Sequence, residues 1–114
     1  MTPSRTPDPF YKSRRWVHLR NAVLRRDQYQ DQIEKRYKLI TKEAECVHHI
    51  FPREWWPEYQ WEPWNLTSLT IANHNRLHDR ETNRLTADGM KLLRRTARKR
   101  GMDLNEELKK YPEG

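Results

Sequence analysis

Four of the five histidines in this 114-residue chain fall into two close pairs. His48 and His49 are adjacent in a strand-like run with apolar neighbours, and His74 and His78 are four positions apart on an expected helix. A four-residue step brings two side chains to one face of a helix. Because a metal ion needs several converging side chains to fix its geometry, the two pairs together predict a site for a divalent cation.

Asn65 lies between the two pairs, 16 positions after His49 and 9 positions before His74. The surrounding segments read Val-His-His-Ile-Phe-Pro, Trp-Asn-Leu and Asn-His-Asn-Arg-Leu-His. Histidines and asparagine in this order and spacing resemble the HNH endonuclease family, whose fold is the ββα-metal (His-Me finger) fold. The wider chain looks most like small phage-encoded HNH endonucleases. The resemblance covers roughly residues 10–100 and is most specific over 47–80.

The resemblance implies a metal-dependent DNA endonuclease that hydrolyses phosphodiester bonds with low sequence specificity. His48, His74 and His78 are then expected to bind one cation, and His49 is the candidate general base, since an imidazole titrates near neutral pH. Alternation along a strand would point the two adjacent histidines to opposite faces. In the family the middle asparagine mainly braces the backbone that orients the base, and Asn65 is expected to do the same.

The expected metal follows from the donor set. Three neutral imidazoles suit Zn, Ni, Mn or Co better than Mg, which prefers oxygen ligands. Many phage relatives also carry two Cys-x-x-Cys pairs that bind a structural zinc. Here the corresponding stretches, 29–34 and 70–73, contain no cysteine, so no structural zinc bound by four cysteines is expected. We expect an aromatic loop and the catalytic metal to stabilise the domain instead.

The net charge of +7 is unevenly distributed along the chain. Residues 1–47 hold 11 basic and 6 acidic residues, residues 48–83 hold 3 and 5, and residues 84–114 hold 9 and 5. Two basic arms therefore flank an acidic centre, which fits a polyphosphate partner. Solvated charged faces on a soluble basic protein are the alternative. The candidate DNA contacts are Arg14, Arg15, Arg20, Arg53, Arg76, Arg94, Arg95 and Arg98. Among the three arginines that flank the expected site, Arg53, Arg76 and Arg80, Arg76 ranks first because it lies between two expected metal ligands. The alternative is that these arginines pair with Glu54, Asp79 or Glu81.

The resemblance implies an α+β fold, and the charge distribution adds basic helices on both sides of the metal site. The patterning predicts helices over 14–27 and 86–100, capped by Ser13 and Thr86, and a helix over 72–80. Strands are expected at 46–51 and 66–71, and residues 28–45 fit either a short helix followed by a strand or a bent hairpin. The proline-rich aromatic loop 52–64 should pack on the core, with base stacking by one or two tryptophans as the alternative. The nuclease domain is expected to span 10–100, with a disordered lead-in over 1–9 and an extension over 101–114.

Cys46 is the only cysteine, and the sequence shows no secretory segment and no apolar run long enough to cross a bilayer. We therefore expect a cytoplasmic protein, in the host cytoplasm if it is phage-encoded. Cys46 is interpreted as a small strand residue, with metal ligation or nucleophilic chemistry as alternatives. Two rival functions are a non-catalytic, metal-stabilised DNA-binding module and a DNA-packaging accessory that contacts the phage terminase. One site per chain also favours nicking, while the oligomeric state is left open.

Overall fold

The structure, a computed structural model, describes residues 8–38 and 41–112. These residues form six helices and one antiparallel strand pair: α1 (Pro9–Lys12), α2 (Arg14–Arg26), α3 (Gln32–Lys38), β1 (Cys46–His49), β2 (Leu66–Leu69), α4 (Ile71–Leu77), α5 (Ala87–Lys99) and α6 (Leu104–Leu108). Two 3-10 turns, Pro57–Tyr59 and Pro63–Asn65, lie in the loop between the strands. The order β1, β2, α4 agrees with the predicted α+β fold. No helix within the described ranges is long and apolar enough to cross a membrane.

The two longest helices begin at the residues that their capping signals predict. Ser13 Oγ accepts a hydrogen bond from the Trp16 amide at 3.1 Å, and Thr86 Oγ1 accepts one from the Gly89 amide at 3.2 Å. Each bond satisfies a backbone donor that the first helical turn leaves unpaired. After α5, Gly101 takes a positive φ of 68°, which a glycine adopts without strain. Of the predicted lead-in over 1–9, the described residues include Asp8, which caps α1, and Pro9, which begins it.

The strand pair is short, and its alternation separates the two adjacent histidines. In the register of the sheet, His48 lies opposite Thr67 and His49 lies opposite Leu66. Cys46 and His48 face the side on which α4 packs, whereas Val47 and His49 face Trp16 of α2. This is the arrangement expected from the two-residue period of a strand. Both strands end two residues before their predicted C-termini.

Side chains from α2 and the segment after it cover the second edge of β2. Arg26 Nη2 donates to the Leu66 carbonyl at 2.7 Å, and Asp27 Oδ2 accepts from the Ser68 amide at 3.0 Å. Asp31 Oδ2 accepts from the Thr70 amide, just beyond the strand, at 2.6 Å. An uncovered strand edge is a template for pairing with another chain. Here, charged groups pair with it as a third strand would.

Aromatic side chains anchor the loop between the strands to the core. Phe51 and Trp56 are fully buried, and their rings meet edge to face with centroids 5.1 Å apart. Trp64 and Tyr59 pack against the same cluster. All five tryptophans belong to the described residues and none of them is exposed. This burial agrees with the predicted core packing rather than with base stacking.

Two predicted segments differ from the structure. The helix predicted over 72–80 ends at Leu77, and His78 is extended, with φ −128° and ψ 142°, where it forms an isolated bridge with Leu85. The prediction that both histidines of the second pair share a helix face is therefore wrong. The segment 28–45 contains the short helix α3, but no strand follows it within the described residues of this segment. An isolated antiparallel bridge between Gln30 and Glu43 is present instead. Leu39 and Ile40 lie outside the described residues.

Candidate metal and catalytic site

Three histidines from different elements converge on one point. His48 comes from β1, His74 from α4, and His78 from the first residue after α4. Each offers one ring nitrogen, and these three atoms lie within 4.8 Å of one another. The ring centroids are 4.8 to 5.3 Å apart. The extended backbone at His78 brings its ring to the others although it lies outside the helix.

The spacing of the imidazole nitrogens fits a shared cation. His48 Nδ1 and His78 Nε2 are 3.1 Å apart. Two nitrogens that each lie about 2.1 Å from one metal ion are separated by about 3.0 to 3.4 Å in octahedral or tetrahedral geometry. Without a metal, the same two atoms can share one proton in a hydrogen bond. The cluster therefore accommodates a cation with little movement of these two rings.

The protonation state of the three rings also suits a metal. Burial, together with the neighbouring histidines, holds the pKa of His48 well below its usual value and lowers the pKa of His78 to about 4. Burial likewise lowers the pKa of His74. All three are therefore neutral at pH 7, the form that coordinates metals. The other ring nitrogen of His48, Nε2, is buried and has no hydrogen-bond partner among the described residues.

His49 lies beside the cluster but outside it. Its Nε2 is 3.0 Å from the Gln60 carbonyl oxygen, and its ring stacks on Trp16 with centroids 5.1 Å apart. Because a carbonyl oxygen only accepts, Nε2 must carry the proton, and Nδ1 keeps a free lone pair. Burial lowers the pKa of His49 to about 4 against the opposing effect of the Gln60 carbonyl. His49 is thus neutral, oriented and able to accept a proton at neutral pH.

Asn65 braces the loop that orients His49. This residue is fully buried, and its Oδ1 accepts a hydrogen bond from the Phe51 amide at 2.7 Å. Its Nδ2 donates to the carbonyls of Phe51 and Tyr59 at 3.1 and 3.2 Å. The side chain thereby ties together the two ends of a loop whose next residue, Gln60, holds the His49 ring. This geometry supports the bracing role expected for Asn65.

His74 and His78 of the cluster line a cavity of about 780 Å³, whereas His48 is fully buried and does not line it. One wall contains His49, His74 and His78, and another consists of residues 79–83. The charged side chains of the lining are two arginines and four carboxylates: Arg53, Arg80, Asp8, Glu54, Asp79 and Glu81. With neutral histidines, this lining has an excess of two negative charges and repels a phosphodiester. A divalent cation would offset this excess, which agrees with a metal at the cluster.

The arginines predicted to contact DNA divide into several groups. Arg53 lines the cavity, where it pairs with Asp8 at 2.5 Å and stacks over Phe10 at 4.1 Å. Arg76, the residue ranked first, is directed away from the cavity into a separate groove between α3 and α5, because α4 turns it to the opposite face. The site therefore gives no support to that ranking, and Arg80 takes its place at the cavity.

The remaining predicted arginines lie on the two long helices. On α2, Arg14 is exposed, Arg15 stacks over Trp61 at 4.1 Å, and Arg20 donates to Asn21. The other three predicted DNA contacts lie along α5: Arg94, Arg95 and Arg98. Arg95 also donates to the Tyr37 hydroxyl. Both helices therefore present basic surfaces outside the metal cluster.

Cys46 is a structural residue. Its Sγ lies 3.4 Å from the Leu69 carbonyl, and burial raises the pKa of the thiol to about 11. A thiol in this state is neither a ready nucleophile nor a ready ligand. The interpretation of Cys46 as a small strand residue agrees with this environment.

Sequence reasoning missed Gln60 and Asp8. Gln60 acts through its backbone carbonyl, which any residue type would provide, so its side chain gave no signal. Asp8 reaches Arg53 across 45 positions of the chain. It stood in the segment expected to be a disordered lead-in, and only the tertiary fold brings it to the cavity.

A comparison with solved structures identifies the family. The chain is similar to the HNH endonuclease of the deep-sea thermophilic bacteriophage GVE2, whose structure contains a manganese ion. The two share 37% identity with a TM-score of 0.57, over 60% of this chain and 73% of that one. No protein-family model matches this chain, and no curated protein matches it. The extent of the structural match, together with the histidine cluster, shows that the chain belongs to the HNH endonuclease family.

Proposed function

We propose that this protein is a metal-dependent DNA endonuclease that hydrolyses phosphodiester bonds. One observation carries the proposal: three imidazoles converge on one point, while a fourth, His49, stands beside them with its own fixed orientation. A structural metal site has no use for that fourth ring. A catalytic site needs it, because the attacking water must lose a proton as it reacts.

His48, His74 and His78 would hold the cation, which would supply positive charge to neutralise the phosphate oxygens in this acidic cavity. His49 Nδ1 accepts a proton from the water whose oxygen forms the new bond to phosphorus. The bond from phosphorus to the leaving sugar oxygen breaks, and that oxygen takes a proton from solvent. Asn65 keeps the loop next to Gln60 in place, so that the hydrogen bond from His49 Nε2 to the Gln60 carbonyl fixes the orientation of the ring.

The metal we propose is Mn, Zn, Ni or Co in preference to Mg, since three nitrogen donors suit these ions better. The manganese in the GVE2 endonuclease structure supports this choice. The three candidate nitrogens lie within 4.8 Å of one another, and their histidines are neutral at pH 7, so they need no proton release before they bind such an ion.

Two basic surfaces are proposed to hold DNA on either side of the acidic cavity. One is the exposed side of α2 with Arg14, Arg15 and Arg20. The other, called here the α3–α5 groove, is lined by Tyr37, Arg76, Lys91 and Arg95, and Arg94 and Arg98 continue it along α5. Cations on a helix surface contact phosphates without reading bases, so low sequence specificity follows.

A monomer with one site would cut one strand, so we propose nicking as the elementary reaction. Double-strand breaks would then need two encounters or two copies of the chain. An association with phage DNA packaging through the terminase stays an expectation from the family resemblance. The reaction would take place in the cytoplasm of the host if the chain is phage-encoded.

The second candidate function is a metal-stabilised DNA-binding module without catalysis. The acidic residues around the cavity count against it, because a module built only to bind DNA gains nothing from repelling the phosphate at its centre. The hydrogen bond that fixes the tautomer of His49 also has no purpose in such a module.

A nicking assay on supercoiled plasmid with added Mn²⁺ tests the proposed function. We expect wild-type protein to relax the plasmid, and His49→Ala to lose most of this activity while it still binds Mn²⁺ and DNA. His18→Ala is the matched control, since His18 is exposed on α2 away from the cluster, and it should cut like the wild type. Equal cutting by His49→Ala and wild type would refute the assignment of the base.

A further inference from the structure

Three polar residues are buried outside the proposed catalytic site. Asp31 is fully buried, Glu34 is 2% exposed and Asn73 is 5% exposed. They lie where the start of α3 meets the start of α4. Buried charged groups are unfavourable unless they are hydrogen-bonded, so their contacts must be specific.

Asp31 is the centre of this cluster. Its Oδ2 accepts from the Thr70 amide at 2.6 Å and from Asn73 Nδ2 at 2.9 Å. Its Oδ1 accepts from the amides of Ile33 and Glu34, both at 2.8 Å. One carboxylate therefore caps α3 and at the same time holds the first turn of α4.

Charge stabilises the cluster at neutral pH. Burial raises the pKa of Asp31, but the hydrogen bonds from Thr70, Glu34 and Asn73 outweigh it and leave this pKa below its ordinary value. Glu34 accepts from Asn73 Nδ2 at 3.3 Å and pairs with Lys38 and Lys42 at 3.4 and 3.2 Å. Asp31 is thus ionised and fully hydrogen-bonded in its buried position.

The backbone leading to Asp31 adopts an unusual conformation. Gln28 and Tyr29 have consecutive positive φ values of 57° and 58°, which residues with a Cβ adopt only under strain. This turn carries the chain from the end of α2 so that Asp27 meets the Ser68 amide and Asp31 meets the Thr70 amide. The contacts that the turn creates offset its strain.

The cluster is directly linked to a metal-binding histidine. Asn73 precedes His74 in a helix of only seven residues, and Thr70 both caps that helix and donates its amide to Asp31. The C-terminal end of α4 is held by buried Leu77 and by hydrogen bonds from Thr86 to the carbonyls of Arg76 and Leu77. The hydrogen bonds to Asp31 hold the opposite end, the first turn that immediately precedes His74.

We propose that Asp31 and Asn73 are a positioning pair that fixes α4, and with it His74, in the orientation that binds the metal. This inference rests on the proposed metal site. It also replaces the expectation that only the aromatic loop and the catalytic metal stabilise the domain. The stretches 29–34 and 70–73, which contain no cysteine pairs, are joined here by hydrogen bonds that involve two carboxylates and an amide.

The test compares Asp31→Asn with Asp27→Asn, a matched control from the same segment. Asp27 bonds the Ser68 amide of β2, and none of its hydrogen bonds within the described residues reaches α4. Its loss should therefore lower the melting temperature without changing Mn²⁺ affinity. Each carboxylate oxygen of Asp31 accepts from two N–H groups. In Asp31→Asn one of these oxygens becomes an NH2 group, which cannot accept and would face two donors. Calorimetric titration well below the melting temperature should give Mn²⁺ binding weakened about tenfold, as for other groups that orient metal ligands.

A second variant and a metal-free measurement complete the experiment. Asn73→Ala keeps the Thr70 contact, so it should fold even if Asp31→Asn does not, and it should weaken Mn²⁺ binding severalfold. Amide hydrogen exchange of metal-free protein should be faster over 71–77 in both variants, but not in Asp27→Asn. Wild-type Mn²⁺ affinity with unchanged exchange in a folded variant would overturn the proposal. If wild-type protein binds no Mn²⁺, the proposed metal site fails, and the exchange data still decide whether Asp31 fixes α4.

Discussion

Replacing Asn65 by aspartate keeps the size and shape of the side chain but removes the hydrogen bonds that Nδ2 donates. The change therefore tests the bracing hydrogen bonds without altering the packing. The Phe51 amide can still donate to one carboxylate oxygen, as it donates to Oδ1 now at 2.7 Å. The other oxygen, however, meets the carbonyls of Phe51 and Tyr59, which accept from Nδ2 at 3.1 and 3.2 Å in the wild type. Two hydrogen bonds are lost and two acceptors face a buried anion.

The loss of stability can be estimated from these contacts. The two lost hydrogen bonds contribute about 1 kcal/mol each, and the unpaired buried groups cost about 1–3 kcal/mol more. The free energy of unfolding should therefore fall by about 3–5 kcal/mol. A domain of this size is stable by roughly 5–15 kcal/mol, so Asn65→Asp should stay folded with a much reduced margin. The buried carboxyl should also titrate above its ordinary pKa. The loss of stability is then fully present at neutral pH. It becomes smaller as acid protonates the carboxyl group, because the protonated form again offers a hydrogen-bond donor.

Urea denaturation at pH 7 and at pH 5, paired with plasmid nicking, measures both consequences. Because Tyr59 precedes Gln60, whose carbonyl orients His49, we expect a fall in turnover of tenfold or more, with Mn²⁺ affinity close to that of the wild type. Asn105→Ala, an exposed site on α6, is the control and should change stability by less than about 0.5 kcal/mol. Wild-type stability or wild-type turnover in Asn65→Asp would refute the bracing argument.

Three further predictions concern other parts of the chain. Gly89→Ala should lower stability by about 1–3 kcal/mol in urea denaturation despite better helix propensity, because the added Cβ would meet the Leu77 carbonyl oxygen at 2.3 Å; equal or higher stability would contradict this. Cys46, with its thiol pKa raised to about 11, should react with iodoacetamide at pH 8 far more slowly in native than in urea-unfolded protein, and equal rates would show the thiol to be accessible. The double variant Lys91→Ala, Arg95→Ala should weaken DNA binding. The dependence of its binding constant on salt concentration should fall by the amount expected for about two lost phosphate contacts. Unchanged binding would show that the α3–α5 groove does not hold DNA.

Local signals in the sequence predicted much of the fold. Ser13 and Thr86 mark helix starts because the capping bond forms within four residues, so no tertiary information is needed. The opposite orientation of His48 and His49 follows from strand alternation alone. The candidate site was accessible for the same reason: its residues are recognisable by type, order and spacing.

Features that depend on tertiary contacts were not predictable from the sequence. No glycine or proline follows Leu77 in residues 78–85, but the helix stops there because the Leu77 carbonyl accepts from the Thr86 amide at 3.0 Å and His78 pairs with Leu85. Arg76 lies away from the cavity at the histidines, which was not predictable because sequence position does not give the rotation of α4.

Buried charge was the other obstacle. Asp31 and Glu34 lie in a charged segment that sequence patterning assigns to the surface. Their partners, Thr70 and Asn73, are about 39 positions away along the chain. Their burial is apparent only when the tertiary fold shows the donors that these two carboxylates accept from.

The most direct test of the division into three ligands and one base is anomalous diffraction from crystals grown with Mn²⁺. Our account predicts one manganese peak per chain, bonded to nitrogens of His48, His74 and His78. The His49 ring should be unligated and still hydrogen-bonded to the Gln60 carbonyl. A peak bonded to His49, or a manganese ion held elsewhere in the chain, would contradict the proposed site.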